Sequence, residues 1–354
     1  MTRAEMKAAA PKKLTEVKKQ KRAARPFLVA AVAGVLALGA AGPAPAATRA
    51  AGPSGDPRIS TAFSLPGAKV YPEGIAADPR THTVYVGSYA DGTVYRARPG
   101  RSEAEAEVFL PSGTDGRRTA NGLRVDARGR LWVTDSTTGV AVYDTATGTR
   151  LAHFEVAAEA PARFVNDLTI TPDGTAYLTD SIRGVIYRVT PRQLAAGSGV
   201  LTEAHDLTPA LRPRPAGGFS LNGITSDRAG RYLLTVDMPT GDLYRVDLRT
   251  GAISRVALTG GDMKAADGLD LAPDGTLRVV HNTTNTLTRW QLGADGTCAR
   301  LTRTITDPSL QIPTTLARVP GRTLVVRSQF DKGGPMNPGS GTPTTFTVAS
   351  VRGL

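Results

Sequence analysis

Asn121-Gly122-Leu123-Arg124-Val125-Asp126-Ala127-Arg128-Gly129-Arg130-Leu131-Trp132-Val133-Thr134-Asp135 sets the grammar of this chain. Residues 122–126 alternate apolar and polar side chains, the period of a strand with one buried face. Ala127-Arg128-Gly129-Arg130 is a tight turn, and residues 131–135 form the next strand. Downstream, Thr137-Thr138-Gly139 turns again, 140–144 is a third strand, 145–148 a turn and 150–155 a fourth strand. Four antiparallel strands in succession make one propeller blade.

The start of this unit recurs. Glu73-Gly74-Ile75, Asn121-Gly122-Leu123, Asn166-Asp167-Leu168, Asn222-Gly223-Ile224 and Asp267-Gly268-Leu269 follow one another at intervals of 48, 45, 56 and 45 residues. A supersecondary unit copied at this period is the mark of a repeat architecture. The strand–turn–strand grammar returns after each copy, with Pro172-Asp173-Gly174 and Pro273-Asp274-Gly275 as the hairpin turns of two of them. A sixth unit is degenerate, with strands at 315–318, 323–327 and 345–348 but no recognisable start. It lacks one strand, which residues 61–65 from the other end of the chain are placed to supply. The expectation is an all-β fold, a six-bladed β-propeller of four-stranded antiparallel blades, its ring closed by strands from both termini. The longest interval reflects an insertion at 191–220, either a lid or a surface loop.

The N-terminal part reads differently. Seven Lys/Arg between Lys12 and Arg25 precede an apolar run from Phe27 to about Ala41 and then Pro43-Ala44-Pro45-Ala46. Basic, apolar and small residues in that order spell a secretory signal peptide, and the run is short for a permanent span. Residues 1–46 are thus expected to be a signal peptide cleaved after Ala46, 47–58 a flexible leader and 59–354 the propeller. The product is expected to be secreted, with no stable membrane association. The net charge of +12 is then mostly the signal peptide's: the nine Lys/Arg and two Glu of residues 1–46 leave +5 for the rest. That mild charge is scattered, without a basic stripe interleaved with aromatics, so no nucleic acid partner is expected. The single cysteine, Cys298, excludes an intramolecular disulfide and reads as a strand residue, and a chain of this length buries enough core without one.

Copies of one residue on a ring point at its axis. Glu73, Asn121, Asn166, Asn222 and Asp267 open the innermost strands and so surround one mouth of the channel. Carboxylates and amide carbonyls are what a hard divalent cation wants, and two acids match its charge. The absence of His and Cys from the set disfavours a soft-metal site. Calcium comes first, with magnesium, manganese and zinc as alternatives. The competing reading is that Asn/Asp followed by Gly only turns the chain between blades. The four histidines, His82, His153, His205 and His281, do not cluster by spacing. No nucleophile elbow is present, and Ser88, Ser136 and Ser181, which each follow a second strand, read as turn caps.

Tyr71-Pro72-Glu73-Gly74, Arg163-Phe164-Val165-Asn166-Asp167, Leu221-Asn222-Gly223-Ile224 and Ala266-Asp267-Gly268-Leu269 resemble the SMP-30/gluconolactonase/LRE-like family over about residues 60–330. The strands around Thr134-Asp135 and Thr179-Asp180 are also similar to NHL-repeat and strictosidine-synthase-like propellers. The first resemblance implies a six-bladed propeller with one divalent metal at the channel mouth, held by Glu73, Asn166, Asn222 and Asp267. It implies that Asp267 also acts as general base in lactone hydrolysis. The family's substrate-binding arginine lies two residues before its first Asn, where this chain has Phe164; Arg163 is one residue further off. Arg163 and Asn121 are the candidates for contacting substrate.

Two functions follow. One is metal-dependent hydrolysis of a lactone or similar small ester, with a small-molecule substrate in a pocket on the axis. The other is a non-catalytic binding propeller that holds a ligand or protein at the same mouth, with a structural metal. Fold alone does not choose between them.

Overall fold

The computed structural model describes residues 56–98, 104–158 and 162–354. The expected signal peptide and residues 47–55 of the expected leader lie outside the described residues. The strands form six sheets, one per blade, each running outward from a central channel in chain order. Blade one is Pro72–Ala77, Val84–Ser88, Val94–Ala97 and Glu107–Leu110. Blade two is Leu123–Val125, Arg130–Asp135, Gly139–Asp144 and Arg150–Glu155. Blade three is Val165–Ile170, Ala176–Asp180, Val185–Val189 and Thr202–Asp206. Blade four is Leu221–Ser226, Tyr232–Asp237, Asp242–Asp247 and Ile253–Arg255. Blade five is Ala266–Leu271, Thr276–His281, Thr286–Leu292 and Cys298–Thr306. Two short strands, Ser198–Val200 and Ala257–Thr259, add parallel outer edges to blades two and five.

Blade six closes the ring as the sequence predicts. Pro313–Val319, Arg322–Arg327 and Thr347–Arg352 come from the C-terminal part, and Arg58–Ser64 pairs antiparallel with Thr347–Arg352 as the outermost strand. Arg327 Nη1 staples the joint by donating to Thr61 Oγ1 at 2.9 Å and Thr347 Oγ1 at 3.0 Å. Closure by strands distant in sequence removes the seam along which a ring of blades would open.

The apolar residues fall where blade meets blade. Each of the six interfaces has its own buried cluster: Phe63, Ile75 and Val326 between blades six and one, Leu123 and Tyr85 between one and two, and Trp132 and Leu168 between two and three. Ile224 and Tyr244 help fill the joint of blades three and four, Trp290 and Leu234 that of four and five, and Val325 and Leu287 that of five and six. A second strand is therefore covered on both faces, which is why Val84–Ser88 is buried throughout, whereas the outer strand Arg150–Glu155 keeps polar residues at the surface. The hairpin turns below are held by Asp side chains. Asp173 Oδ1 and Asp274 Oδ1 each accept from a backbone N–H two residues on, at 3.0 Å, and Gly174 and Gly275 take φ of 85° and 80°.

Most of the 191–220 insertion is blade structure. A capped helix, Pro191–Ala196, and the strand Ser198–Val200 lead into the fourth strand of blade three. Only residues 207–220 run up to the start of the next inner strand, and Arg214 ties them to blade four through both oxygens of Asp237, at 3.2 and 3.3 Å.

Candidate active site

A repeated backbone irregularity positions the site. Five inner strands carry the same register shift, between Pro72 and Ile75, Val165 and Leu168, Leu221 and Ile224, Ala266 and Leu269, and Pro313 and Leu316. At each, two inner residues oppose one on the second strand, a β-bulge that bends the strand and re-aims its side chains. The first bulged residue is Glu73, Asn166, Asn222, Asp267 or Thr314; blade two places Asn121 at the same point, just ahead of its short inner strand. These six residues are all buried.

The residue after each is pressed against the next blade. A Cβ on Gly74 would lie 1.7 Å from Asn121 O, one on Gly223 2.1 Å from Asp267 O, and one on Gly268 2.3 Å from Thr315 Oγ1. Glycine here is demanded by close approach of neighbouring backbones. Threonine hydroxyls stitch the same level: Thr134, Thr179 and Thr314 donate to the carbonyls of Asn166, Asn222 and Glu73, at 2.6, 2.8 and 2.7 Å.

The sixth ring member, Thr314 in Pro313-Thr314-Thr315-Leu316, was not legible because threonines replace both the Asn/Asp and the Gly of the repeat. Its signal is the apolar residue two positions on, in register with Ile75 and Leu269. A second layer was also missed. Tyr89, Ser136, Ser181, Met238, Asn282 and Ser328 each follow a second strand, 14–16 residues after a ring residue. Ser181 is more than a turn cap: its Oγ accepts from Asn166 Nδ2 at 3.0 Å and donates to Leu221 O. Ser88 Oγ donates to Val70 O at 2.8 Å.

Three of the ring side chains, Asn166, Asn222 and Asp267, are linked by way of Met238 and Asn282. Asn166 Nδ2 also donates to Asn222 Oδ1 at 3.0 Å, Asn222 Nδ2 points at Met238 Sδ at 3.4 Å, and Asn282 Nδ2 donates to Asp267 Oδ2 at 3.0 Å. With its nitrogen held twice, Asn166 is left with a buried Oδ1 that has no hydrogen-bond partner, and both amide atoms of Asn121 are in the same state. Native proteins leave few buried polar atoms unpaired, and those that are call for a ligand or another explanation.

The acids are perturbed in one direction. Burial pushes the Asp267 carboxyl up to about 8, the charge of Asp167 adding to the effect and hydrogen bonds from Asn282 and Asn222 opposing it. Burial raises Glu73 well above the usual carboxylate range, with the charges of Asp267 and Asp167 in support. Asp167, the non-glycine member of the repeat's second position, is raised by burial as well, while Arg124, 3.4 Å away, pulls it back. Three carboxylates thus repel one another in the channel with one guanidinium for relief, an environment that favours a bound cation.

Among the described residues, no three His, Cys, Asp or Glu side chains come together to hold an ion by themselves. An ion would have to use amide oxygens too, and the donor set fits that need: two carboxylates, the unpartnered Asn166 Oδ1 and the Asn222 amide, all hard oxygens. Arg163 Nη1 donates to Val156 O at 3.3 Å, and among the described residues it has no hydrogen bond or ion pair to a ring residue. Phe164, two residues before Asn166, donates its N–H to Asp180 Oδ1 at 3.0 Å.

Residues 71–317 match the family model of the SMP-30/Gluconolactonase/LRE-like region, a span that contains every ring residue. The chain belongs to this family. No curated protein sequence matches it. Among solved structures it is similar to a calcium-binding regucalcin of Agrobacterium tumefaciens, with 19% identity, a TM-score of 0.56 and coverage of 83% of this chain and 98% of that one. It is also similar to a gluconolactonase of Xanthomonas campestris, at 18% identity and TM-score 0.56, covering 84% and 90%. The major allergen Mala s 1 of Malassezia sympodialis is comparable, at 15% identity and TM-score 0.56, covering 80% and 94%. At such identities the likeness is one of fold.

The other end of the channel differs in character. There the inner strands end in a cavity of about 580 Å³ lined by Val125, Ile170, Ser226 and Leu271 with Arg128 and Arg228, remote from the ring.

Proposed function

We propose that this protein is a secreted, metal-dependent hydrolase of lactones or similar small esters, acting at the ring of Glu73, Asn166, Asn222 and Asp267. The observation that carries the reading is the convergence of two acids with unpartnered amide oxygen at one buried channel mouth. Family membership supports it, and so does the likeness to a gluconolactonase. Calcium is the ion proposed, on the hardness of the donors and by analogy with the calcium-binding regucalcin. The export signal read in residues 1–46 supports an activity outside the cytoplasm.

The bound cation would supply the positive charge that polarises an ester carbonyl. Asp267 takes the proton of the attacking water, its Oδ2 held in place by Asn282. A carboxylate pushed up by burial is a stronger base than one in water, and ionisation by a nearby positive charge keeps it available at neutral pH. Asn166 is oriented by Ser181 and Asn222 so that its oxygen faces the site. Asn121, buried in the same ring with no partner on either amide atom, is the residue we assign to the substrate's polar end, a reading its unpaired atoms support.

The test is metal analysis of the purified protein, followed by assays on lactones and aryl esters with and without chelator. Turnover that disappears on chelation, returns with calcium and is lost in Asp267→Asn supports the reading. Stoichiometric metal with no turnover on any ester would favour the non-catalytic binding propeller. Turnover that survives both chelation and Asp267→Asn would refute the mechanism.

A further inference from the structure

Four aromatic rings from four different blades meet over the mouth. Phe330 lies 5.6 Å from Tyr89, centre to centre; Tyr89 stacks on Phe164 at 6.4 Å and 25°; Phe164 meets Phe219 edge-on at 4.8 Å. Tyr89 follows the second strand of blade one and Phe164 precedes the first strand of blade three, so their pair bridges two blades that are not neighbours in the ring. The arc adjoins the ring through the chain: Phe164 stands two residues before Asn166, Phe219 three before Asn222, and Tyr89 directly follows the second strand that pairs with the strand of Glu73. On the far side Met238 Sδ accepts from Asn222 Nδ2 at 3.4 Å.

Phe330 is buried in the core between blades six and one and anchors the arc, whereas the other three rings reach solvent: Phe219 is 40% exposed, and Tyr89 and Phe164 are part-exposed. The neighbouring polar groups, in contrast, are engaged by protein. Ser136 Oγ is bonded to Thr119, Ser181 Oγ holds Asn166 and Leu221, and Ser328 Oγ donates to Ile312 O. The Asn282 amide is held by Asp267 and by the N–H of Thr283. Above the ring's own free amide atoms on Asn121 and Asn166, the surface that a ligand meets is therefore aromatic and thioether. Such a surface gains from covering apolar area, and its rings, the Tyr89 hydroxyl excepted, offer nothing to replace the water around a hydroxyl.

We infer that this arc is the acyl- or aryl-binding wall of the site, and that it selects esters or lactones carrying an apolar alkyl or aromatic group over polyhydroxylated sugar lactones. The inference rests on the hydrolase reading for the placing of the reacting group but is read out by binding alone.

The experiment uses two non-hydrolysable probes on the calcium-loaded full chain, a hexyl-substituted δ-valerolactam and gluconolactam, titrated by calorimetry. The expected result is that the hexyl lactam binds at least about tenfold more tightly. Phe164→Ala and Phe219→Ala should each erase most of that preference, while leaving the calcium isotherm and the melting temperature within a few degrees of wild type. Equal or tighter binding of gluconolactam, or a preference that survives both substitutions, overturns the inference. A preference for the hexyl lactam in a protein that turns over no ester would sustain the apolar wall while removing the hydrolase.

Discussion

Asp267 makes the metal-free protein lose stability as pH rises, and the size of the effect follows from its surroundings. Unfolded, the carboxyl titrates near its ordinary 3.8; folded, burial moves it to about 8. Below both values the proton is bound in either state and the group is neutral to stability. Between them the unfolded chain has released the proton that the folded chain retains, so stability falls with rising pH. Above about 8 both states are ionised and the cost is constant. A displacement of roughly four units amounts to about 6 kcal/mol in full, a large part of the 5–15 kcal/mol typical of a folded protein.

The clean window is pH 6.5–8. Burial lowers His205 and His281 below their ordinary 6.5, and such groups add stability with rising pH only until the unfolded value is passed. Within the window one proton of difference gives a slope of about 1.4 kcal/mol per pH unit, hence about 2 kcal/mol. With an unfolding entropy of roughly 2.1 cal/mol/K per residue over about 300 residues, the melting temperature should drop by about 3 °C. Glu73, raised by burial as well, acts in the same direction.

Melting is followed calorimetrically in chelator and again in saturating calcium. The drop should appear in chelator, shrink or vanish in calcium, and be reduced in Asp267→Asn, which should also melt higher than wild type at pH 8 in chelator. A metal-free melting temperature that is flat or rises from pH 6.5 to 8 would refute the argument, and so would an unchanged slope in Asp267→Asn.

Three further outcomes are expected. Gly223→Ala drives a methyl into the carbonyl of Asp267, at 2.1 Å in the unrelaxed backbone, and should cost about 2–3 kcal/mol in urea titrations while weakening calcium binding. Ser181→Ala removes one holder of the Asn166 amide and should lower calcium affinity about tenfold in calorimetry, with a change in melting temperature of only a few degrees. Deleting residues 1–65 strips the outermost strand of blade six and bares the edge of Thr347–Arg352; the product should melt well below the full chain and self-associate on size-exclusion chromatography.

Much of the fold is legible because its signals are local. Each blade needs the same alternation, the same Asp- or Gly-based hairpin and, where two backbones nearly touch, the same glycine, so the pattern prints itself every 45 residues or so. Ring closure by the N-terminal strand follows from counting strands. Glu73, Asn121, Asn166, Asn222 and Asp267 are legible for the same reason, since they open repeated strands. Thr314 escaped because close approach and bulging can be met by residues other than Asn/Asp-Gly, and Asp167 carried no visible role while its partner Arg124 lay 43 residues away.

What the chain alone determines, then, is the period, the architecture and which residues face the axis, because these depend on neighbours one to four positions away. The tertiary structure alone decided how the acids displace one another's protonation, which amide oxygens are left without a partner, that Ser181 and Asn282 brace the ring, and that Tyr89, Phe164, Phe219 and Phe330 meet in one arc. Those properties belong to groups separated by tens to hundreds of residues, and only closing the ring brings them within a few ångströms.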